Sequence, residues 1–274
     1  MEHEVETNRR LWDGWTRIHV DSSFYDVEGF KAGRRDPIDA IVGELVGDVA
    51  GKRLLHLQCH FGIDTLGFAR HGARVTGVDF SPEAIAAARR LAEETGLDAV
   101  FECFDIASLP GRFDSAFDVV FTSYGAISWL PDLEAWADTI AEALVPGGAF
   151  CIAEAHPFSW VFDDENEESL QVRYSYFDRS PLHYVEHGSY ADREADFEAD
   201  SYAWQHTLAD IVGVLLARGL TIESFAEYDR VPWQGFPFLV EAGDGFWTMP
   251  EGSPDIPLLF TLRAVKGMSA TRRR

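Results

Sequence analysis

Residues Arg53–Asp79 read RLLHLQCHFGIDTLGFARHGARVTGVD. The run predicts an apolar strand, a tight turn, a helix, a second apolar strand and a closing acid. In a nucleotide-binding α/β unit the first turn packs its backbone against the ligand. The acid that ends the second strand holds ribose hydroxyls. Asp79 follows Gln58 by 21 residues, close to the spacing of about 20 that such a unit needs. The expected ligand is therefore an adenosine-containing cofactor.

A dinucleotide fingerprint would place glycines at 58, 60 and 63, to make the turn, admit the pyrophosphate and pack helix on strand. Here those positions are Gln58, His60 and Ile63, and only Gly62 remains of the glycine-rich pattern. Side chains at all three places obstruct a pyrophosphate, which disfavours a nicotinamide or flavin cofactor.

Beyond Asp79, Ser81 reads as an N-cap with Pro82 at the first helical position. AVFECFDIASLP is a third strand followed by Asp105. FDVVFTSYGAISWL is a fourth strand, and LPDLEAWADTIAEALVPGGAFCIAEA is a helix, a Pro-Gly-Gly turn and a fifth strand. This order resembles the class I S-adenosylmethionine-dependent methyltransferases, in which a Gly-rich turn, two acids and a PGG turn recur. The resemblance is strong over residues 50–155 and looser elsewhere. HLQCHFGIDTL is similar to a divergent first motif of a bacterial and archaeal methyltransferase group, as are FYDVEGFKAG before it and WQHTLADIVGVLLARGL after it. The chain departs from the usual pattern at His56, where an acid is common, and at Gln58 and His60.

The resemblance implies an α/β fold: a Rossmann-like seven-stranded sheet, mostly parallel with the last strand antiparallel, and helices on both faces. The expected organisation is an N-terminal helical extension or lid over 1–48 and a cofactor-binding core over 49–155. An insertion covering the substrate site follows over 156–205, then completion of the core over 206–268 and a disordered tail over 269–274.

Within the extension, Leu11, Trp15 and Ile18 have helical spacing. SSFYDVEGFKAGRR reads as a loop and PIDAIVGELVGDV as a second helix. In the insertion, alternation in QVRYSYF and HYVEHGSY predicts antiparallel strands joined at Ser180–Pro181. A stretch of about 50 residues between core elements is long enough to be functional rather than a connector, either covering the substrate or forming a dimer. HTLADIVGVLLARGLTIESFAEYD predicts a helix and a strand. A Pro- and Gly-rich loop separates these from a last strand, PLLFTLRAVK.

The chain has 274 residues, with 46% hydrophobic and 13% aromatic side chains, enough for one large α/β domain with an insertion, or two small ones. No apolar run reaches the length of about 20 residues that spans a bilayer, and MEHEVETNRRLWDGW is no secretory signal. A cytoplasmic protein is expected. Net charge is −23, with only Lys31, Lys52 and Lys266 as lysines. That field repels phosphate and argues against nucleic-acid and anionic-membrane partners. An acidic, lysine-poor surface suits a high-salt cytoplasm, and a GC-rich genome also depletes lysine. Cys59, Cys103 and Cys151 read as buried reduced thiols. No Cys/His spacing points to a metal.

The expected cofactor is S-adenosyl-L-methionine and the partner a small-molecule acceptor. Asp79 would accept from both ribose hydroxyls, with Phe80 against adenine. By resemblance Asp105 would accept from the adenine amino group with Ile106 on the ring; its alternative is a helix cap. Gln58, Cys59, His60 and Gly62 line the turn. His60 either meets the methionine carboxylate or is simply exposed, while His56 is read as a satisfied core histidine. Thr122, Ser123 and Tyr124 end strand four where the crevice of an open sheet is expected. Tyr25 belongs to the lid and reaches the cofactor, against an alternative of plain packing. Methyl transfer from a sulfonium needs positioning and removal of one proton. No base stands out; His156, His206 and Tyr124 are the candidates for a catalytic role. The rival readings are a non-catalytic cofactor-binding protein on this fold and an NAD-dependent oxidoreductase.

Overall fold

A computed structural model describes residues 1–268; the tail expected at 269–274 lies outside them. Three helices precede the sheet: α1 (Glu2–Asp21), α2 (Val27–Lys31) and α3 (Ala40–Val46). The first is longer than its apolar spacing suggests. It buries Asn8, Leu11, Trp15, Thr16 and His19, so two of its buried side chains, Asn8 and His19, are strongly polar. α2 lies inside a segment expected to be loop; Asp26 starts it by accepting from the Gly29 N–H.

The core follows as β1 (Arg53–Leu57), α4 (Ile63–Arg70), β2 (Arg74–Asp79), α5 (Pro82–Thr95), β3 (Ala99–Cys103), β4 (Phe117–Thr122), α6 (Glu134–Ala143) and β5 (Leu144–Ala155). α5 shows why the local sequence folds as it does. The Ser81 hydroxyl accepts from Ala84 N–H, Pro82 sits where no N–H is needed, and Gly96 closes the helix at φ +65°. No α-helix joins β3 to β4. Asp105 caps a single 3₁₀ turn over Ile106–Ser108, and Pro110–Gly111 follow too soon for a helix to propagate.

After β5 come β6 (Leu182–His187), β7 (Glu198–Ala203), α7 (Leu208–Ala217), β8 (Leu220–Tyr228), β9 (Arg230–Val231), β10 (Val240–Glu241), β11 (Trp247–Thr248) and β12 (Leu259–Lys266). The main sheet has seven strands in the order β3-β2-β1-β4-β5-β12-β8. β1 to β5 pair in parallel, and β12 runs antiparallel to both β5 and β8. Trp136 of α6 is wholly buried against Phe150 on one face, and Phe68 of α4 meets Phe121 on the other. Each such side chain contributes about 1.5–3 kcal/mol by leaving water. Among the described residues no helix is long and apolar enough to cross a membrane.

Two expectations about the coverings are corrected. HYVEH does form a strand, but β6 pairs with β7, not with QVRYSYF. Arg173 within QVRYSYF is instead held by Asp163 and Glu165, and its N–H donates to the Val161 carbonyl. The loop after β8 is not bare either: β9, β10 and β11 form a three-stranded sheet. It rests on an apolar cluster that includes Phe236, Leu239 and Phe246. Strands of two residues carry no readable alternation.

Candidate active site

Strand order reverses between β1 and β4, so the crevice of the sheet opens above their carboxyl ends. The β1–α4 turn stands there. Gln58 and His60 adopt φ of +56° and +51°, and Gly62 +74°. The two side-chain-bearing residues thus hold the left-handed conformation for which glycine is the usual choice, at about 1–2 kcal/mol each. Gly62 is irreplaceable on two counts: its φ, and a Cβ there would lie 2.5 Å from the Phe101 ring.

Asp79 closes β2 as expected and is buried. One carboxylate oxygen accepts from His60 N–H at 2.8 Å and the other from Ser81 N–H at 2.9 Å. Each oxygen keeps a lone pair for a further donor. Burial pushes this carboxyl up to about 6, against the pull of those N–H groups. Phe80 is half-buried beside it. Asp105 accepts from Ala107 N–H at 2.8 Å, as a cap, and Ile106 is buried. Cys59 spends its backbone on β2 and on the turn, donating to Val78 O and accepting from Gly62 N–H, both at 2.9 Å. Cys59 and Cys151 are buried thiols, but Cys103 is exposed. It ends the edge strand β3, whose last residue has no neighbour on its outer side.

His56 is buried, and both ring nitrogens are engaged, by Thr65 Oγ1 at 2.8 Å and Ser123 Oγ at 3.0 Å. Burial lowers its pKa to about 3. It is a satisfied core histidine that ties α4 to the end of β4. Gln58 Nε2 donates across the crevice to Ala126 O at 2.7 Å. The Tyr124 hydroxyl donates to Asp39 Oδ2 at 2.6 Å, and its ring faces Trp233. His156 lies on the β8 side, accepting at Nδ1 from Phe158 N–H at 3.1 Å. Its Nε2 is 2.9 Å from Glu227, at an angle that falls short of a hydrogen bond. His206 Nε2 donates to Leu130 O at 2.8 Å, and burial lowers its pKa. His183 and His187 face Asp200 and Glu198 across the hairpin.

Three participants escaped the sequence reading. Glu154, a lone charge in an apolar strand, is buried. It accepts from the N–H groups of Gly125, Ala126, Ile127 and Ala155 at 2.5–3.1 Å. It therefore shapes the loop after β4, and burial holds its pKa at about 7. Asp13 of α1 accepts from the Ser81 hydroxyl at 2.6 Å, anchoring the helix beside Asp79. His19 of α1 shares a proton with His60, its Nδ1 lying 2.8 Å from His60 Nε2. The isolated charge was the only signal for Glu154; for Asp13 and His19 there was none beyond helical phase.

α1 thus lies across the first turn, with Trp12 packed on both His60 and Trp129. The insertion holds it from outside, Trp15 Nε1 donating to Gly188 O at 2.8 Å. Tyr25 joins this cover through its hydroxyl contact with Tyr190. Beneath, a cavity of about 20 Å³ is lined by Ser128, Glu154, Trp160, Trp204 and His206 among others, room for about one water. A larger hollow, about 550 Å³, opens beside Ala40, Tyr228 and Arg230, and no residue of the first turn lines it.

Residues 54–148 match the family model described as a methyltransferase domain. Curated relatives include a ubiquinone biosynthesis O-methyltransferase of Idiomarina loihiensis, 36% identical over 36% of this chain and 40% of that one. Another, from Cronobacter sakazakii, is 33% identical over 47% of this chain and 54% of that one. The chain spans about half the length of the curated relatives it matches. Among solved structures, an S-adenosylmethionine-dependent methyltransferase from Mesorhizobium loti superposes with a TM-score of 0.59 at 21% identity, covering 83% of this chain and 98% of that one. A DhpI complex with SAH superposes at 0.57 and 16% identity, covering 97% and 98%. At these identities the two structures establish the fold.

Proposed function

We propose that this chain, whose core is a class I S-adenosylmethionine-dependent methyltransferase domain, transfers a methyl group to a small-molecule acceptor and releases S-adenosylhomocysteine. One observation carries the reading: at the switch point of the sheet, a buried carboxylate closing β2 is hydrogen-bonded to the backbone of the β1–α4 turn. The cofactor, when bound, supplies an electrophilic methyl on a sulfonium.

The donor set fits such a ligand. Asp79 would take the ribose hydroxyls with its remaining lone pairs, and Asp105 the adenine amino group, with Phe80 and Ile106 flanking the ring. Gln58, Cys59, His60 and Gly62 form the floor of the site, and Ser123 and Tyr25 border it. Residues 1–48 and 156–205 exclude water above that floor. The acceptor would approach from the β4–β5 side. For its proton we favour His206 over His156 and Tyr124. Donation from Nε2 to Leu130 O fixes the tautomer, leaving the Nδ1 lone pair, and the lowered pKa keeps the ring neutral. His156 has Nδ1 occupied, and Tyr124 donates to a carboxylate. The aromatic, enclosed setting favours a small acceptor over a polymer, and the charge of −23 disfavours nucleic acid. A cytoplasmic enzyme fits the same composition. The fold of the insertion back onto α1 supports covering rather than dimer formation.

Calorimetric titration of S-adenosylhomocysteine and NAD, with Asp79→Ala alongside, tests the reading. Micromolar binding of the first alone, lost in the variant, is expected. Absence of binding by a folded wild-type sample at low and high salt would overturn it, leaving a cofactor fold without its chemistry.

A further inference from the structure

Ser128, in the loop after β4, is 6% exposed, and its hydroxyl has no hydrogen-bond partner. Such groups are rare in native interiors, and each calls for an occupant that would pair with it. Ser128 lines the cavity of about 20 Å³ together with Glu154, Trp160, Trp204, Gln205 and His206. That volume admits one water-sized polar head group.

The same loop borders the first turn. Ala126 takes the Gln58 amide, and Trp129 packs on Trp12. From the other side, the Ser128 carbonyl accepts from the Trp204 N–H at 2.8 Å. The cavity thus stands where the crevice, the end of β5 and the end of the insertion meet.

Its occupant follows from the hydrogen-bonding positions that are left. Glu154 is 1% exposed, and four backbone N–H groups fill the lone-pair sites of its carboxylate. It offers charge but no further bond. Gln205, also buried, directs Nε2 to the Trp160 carbonyl at 3.0 Å, which leaves Oε1 as an acceptor. His206 donates from Nε2 to Leu130 O, which leaves Nδ1 as an acceptor. With Ser128 Oγ, three side-chain acceptors stand beside one carboxylate. Arg179, which donates to the Gln205 carbonyl, has its charge answered by Asp210. Trp160 and Trp204 add indole rings, whose faces attract cations.

An ammonium group, with three N–H donors and one positive charge, is the complement of that set. A hydroxyl has a single proton to share among the acceptors, and an anion would meet the charge of Glu154. We propose that this cavity is the head-group site of the acceptor and that it takes a primary amine, which makes the reaction an N-methylation. The inference rests on the methyltransferase reading above. The ammonium donates to Ser128 Oγ, Gln205 Oε1 and His206 Nδ1, with its apolar body against Trp160 and Trp204. Loss of one proton to His206 bares the nitrogen lone pair. That pair forms the bond to the methyl carbon while the carbon–sulfur pair stays with S-adenosylhomocysteine, and the product is a methylammonium. Ser128 and Gln205 are then the residues that select the acceptor.

The test uses the isosteric probes benzylamine, benzyl alcohol and benzoate, titrated at neutral pH into protein saturated with S-adenosylhomocysteine. Benzylamine is expected to bind at least roughly tenfold more tightly than benzyl alcohol, and benzoate not to bind. Ser128→Ala is expected to weaken benzylamine by roughly fivefold or more while changing S-adenosylhomocysteine less than about twofold. In ¹⁵N-histidine spectra of wild-type protein, benzylamine should shift the ring nitrogens of His206, and benzoate should not. This readout does not depend on the variant folding. No binding of benzylamine, benzyl alcohol or benzoate binding as tightly, an unshifted His206, or equal weakening of benzylamine and S-adenosylhomocysteine by Ser128→Ala would each overturn the inference while leaving the cofactor site intact. So would a Ser128→Ala variant that keeps its benzylamine affinity. Failure of wild-type protein to bind S-adenosylhomocysteine would remove the methyltransferase reading and this inference with it.

Discussion

Asn8 and Tyr202, 194 residues apart, exchange two hydrogen bonds. Asn8 Nδ2 donates to the Tyr202 carbonyl at 2.7 Å, and the Tyr202 N–H donates to Asn8 Oδ1 at 2.8 Å. A side-chain amide thereby completes the edge of β7 as a neighbouring strand would, and α1 is fastened to the insertion hairpin by a buried polar pair.

Asn8→Ala removes both bonds and leaves the Tyr202 N–H and C=O without partners. A stability loss of about 1–3 kcal/mol is expected in urea denaturation. Asn8→Asp should lose more, since it sets a carboxylate oxygen against the Tyr202 carbonyl. Hydrogen exchange should rise first in α1 and β7, ahead of the central strands.

Glu154 satisfies four backbone N–H groups, three of them in the loop after β4. Glu154→Gln turns an amide NH₂ toward donors. Thermal unfolding should show a loss of at least about 2 kcal/mol. The loop carries Ala126, the partner of Gln58, so cofactor affinity should fall as well.

Burial raises the pKa of Asp64 to about 7, Asp79 to about 6 and Glu154 to about 7. Each holds its proton more tightly folded than unfolded. Their contribution to stability is therefore fully present below the ordinary carboxyl range and lost as pH rises through 6 to 7. The urea midpoint should fall between pH 5 and 7.5, and Asp64→Asn should flatten that fall. Cofactor affinity should move the other way, rising from pH 5 to 7 as Asp79 ionises to accept the ribose hydroxyls. The His19–His60 pair stays neutral throughout that window.

Cys103 is exposed, whereas Cys59 and Cys151 are buried. A disulfide-exchange reagent should titrate one thiol per native chain and three after unfolding. Its Sγ lies 3.6 Å from the Phe80 carbonyl, on the border of the proposed adenosine site. S-adenosylhomocysteine should slow the native reaction, and an unchanged rate would separate Cys103 from the ligand.

The core was legible because its signals are local. Strand, turn, helix and acid fall within 27 residues of one another, and each is punctuated by a cap or a glycine. The missing glycines of the first turn were read correctly as side chains, but their backbone was not legible. Nothing in the identity of Gln58 or His60 announces a left-handed φ, which the surrounding contacts impose. Pairing at long range was lost for a related reason. QVRYSYF alternates as well as EADSYA does, yet it lies against Val161–Glu165, where Arg173 is held by Asp163, Glu165 and the Val161 carbonyl, and β6 pairs with EADSYA. The site residues missed, Asp13 and His19, act on partners 68 and 41 residues away, beyond any periodicity in α1.

The long-range fastening of α1 also sets an order of events during synthesis. The helix is synthesised well before Gly188 and Tyr202, which hold it down. Until then α1 has only the earlier strands and helices to rest on, and a loop of nearly 200 residues must close before the pair can form. The nascent core therefore stands uncovered through most of translation.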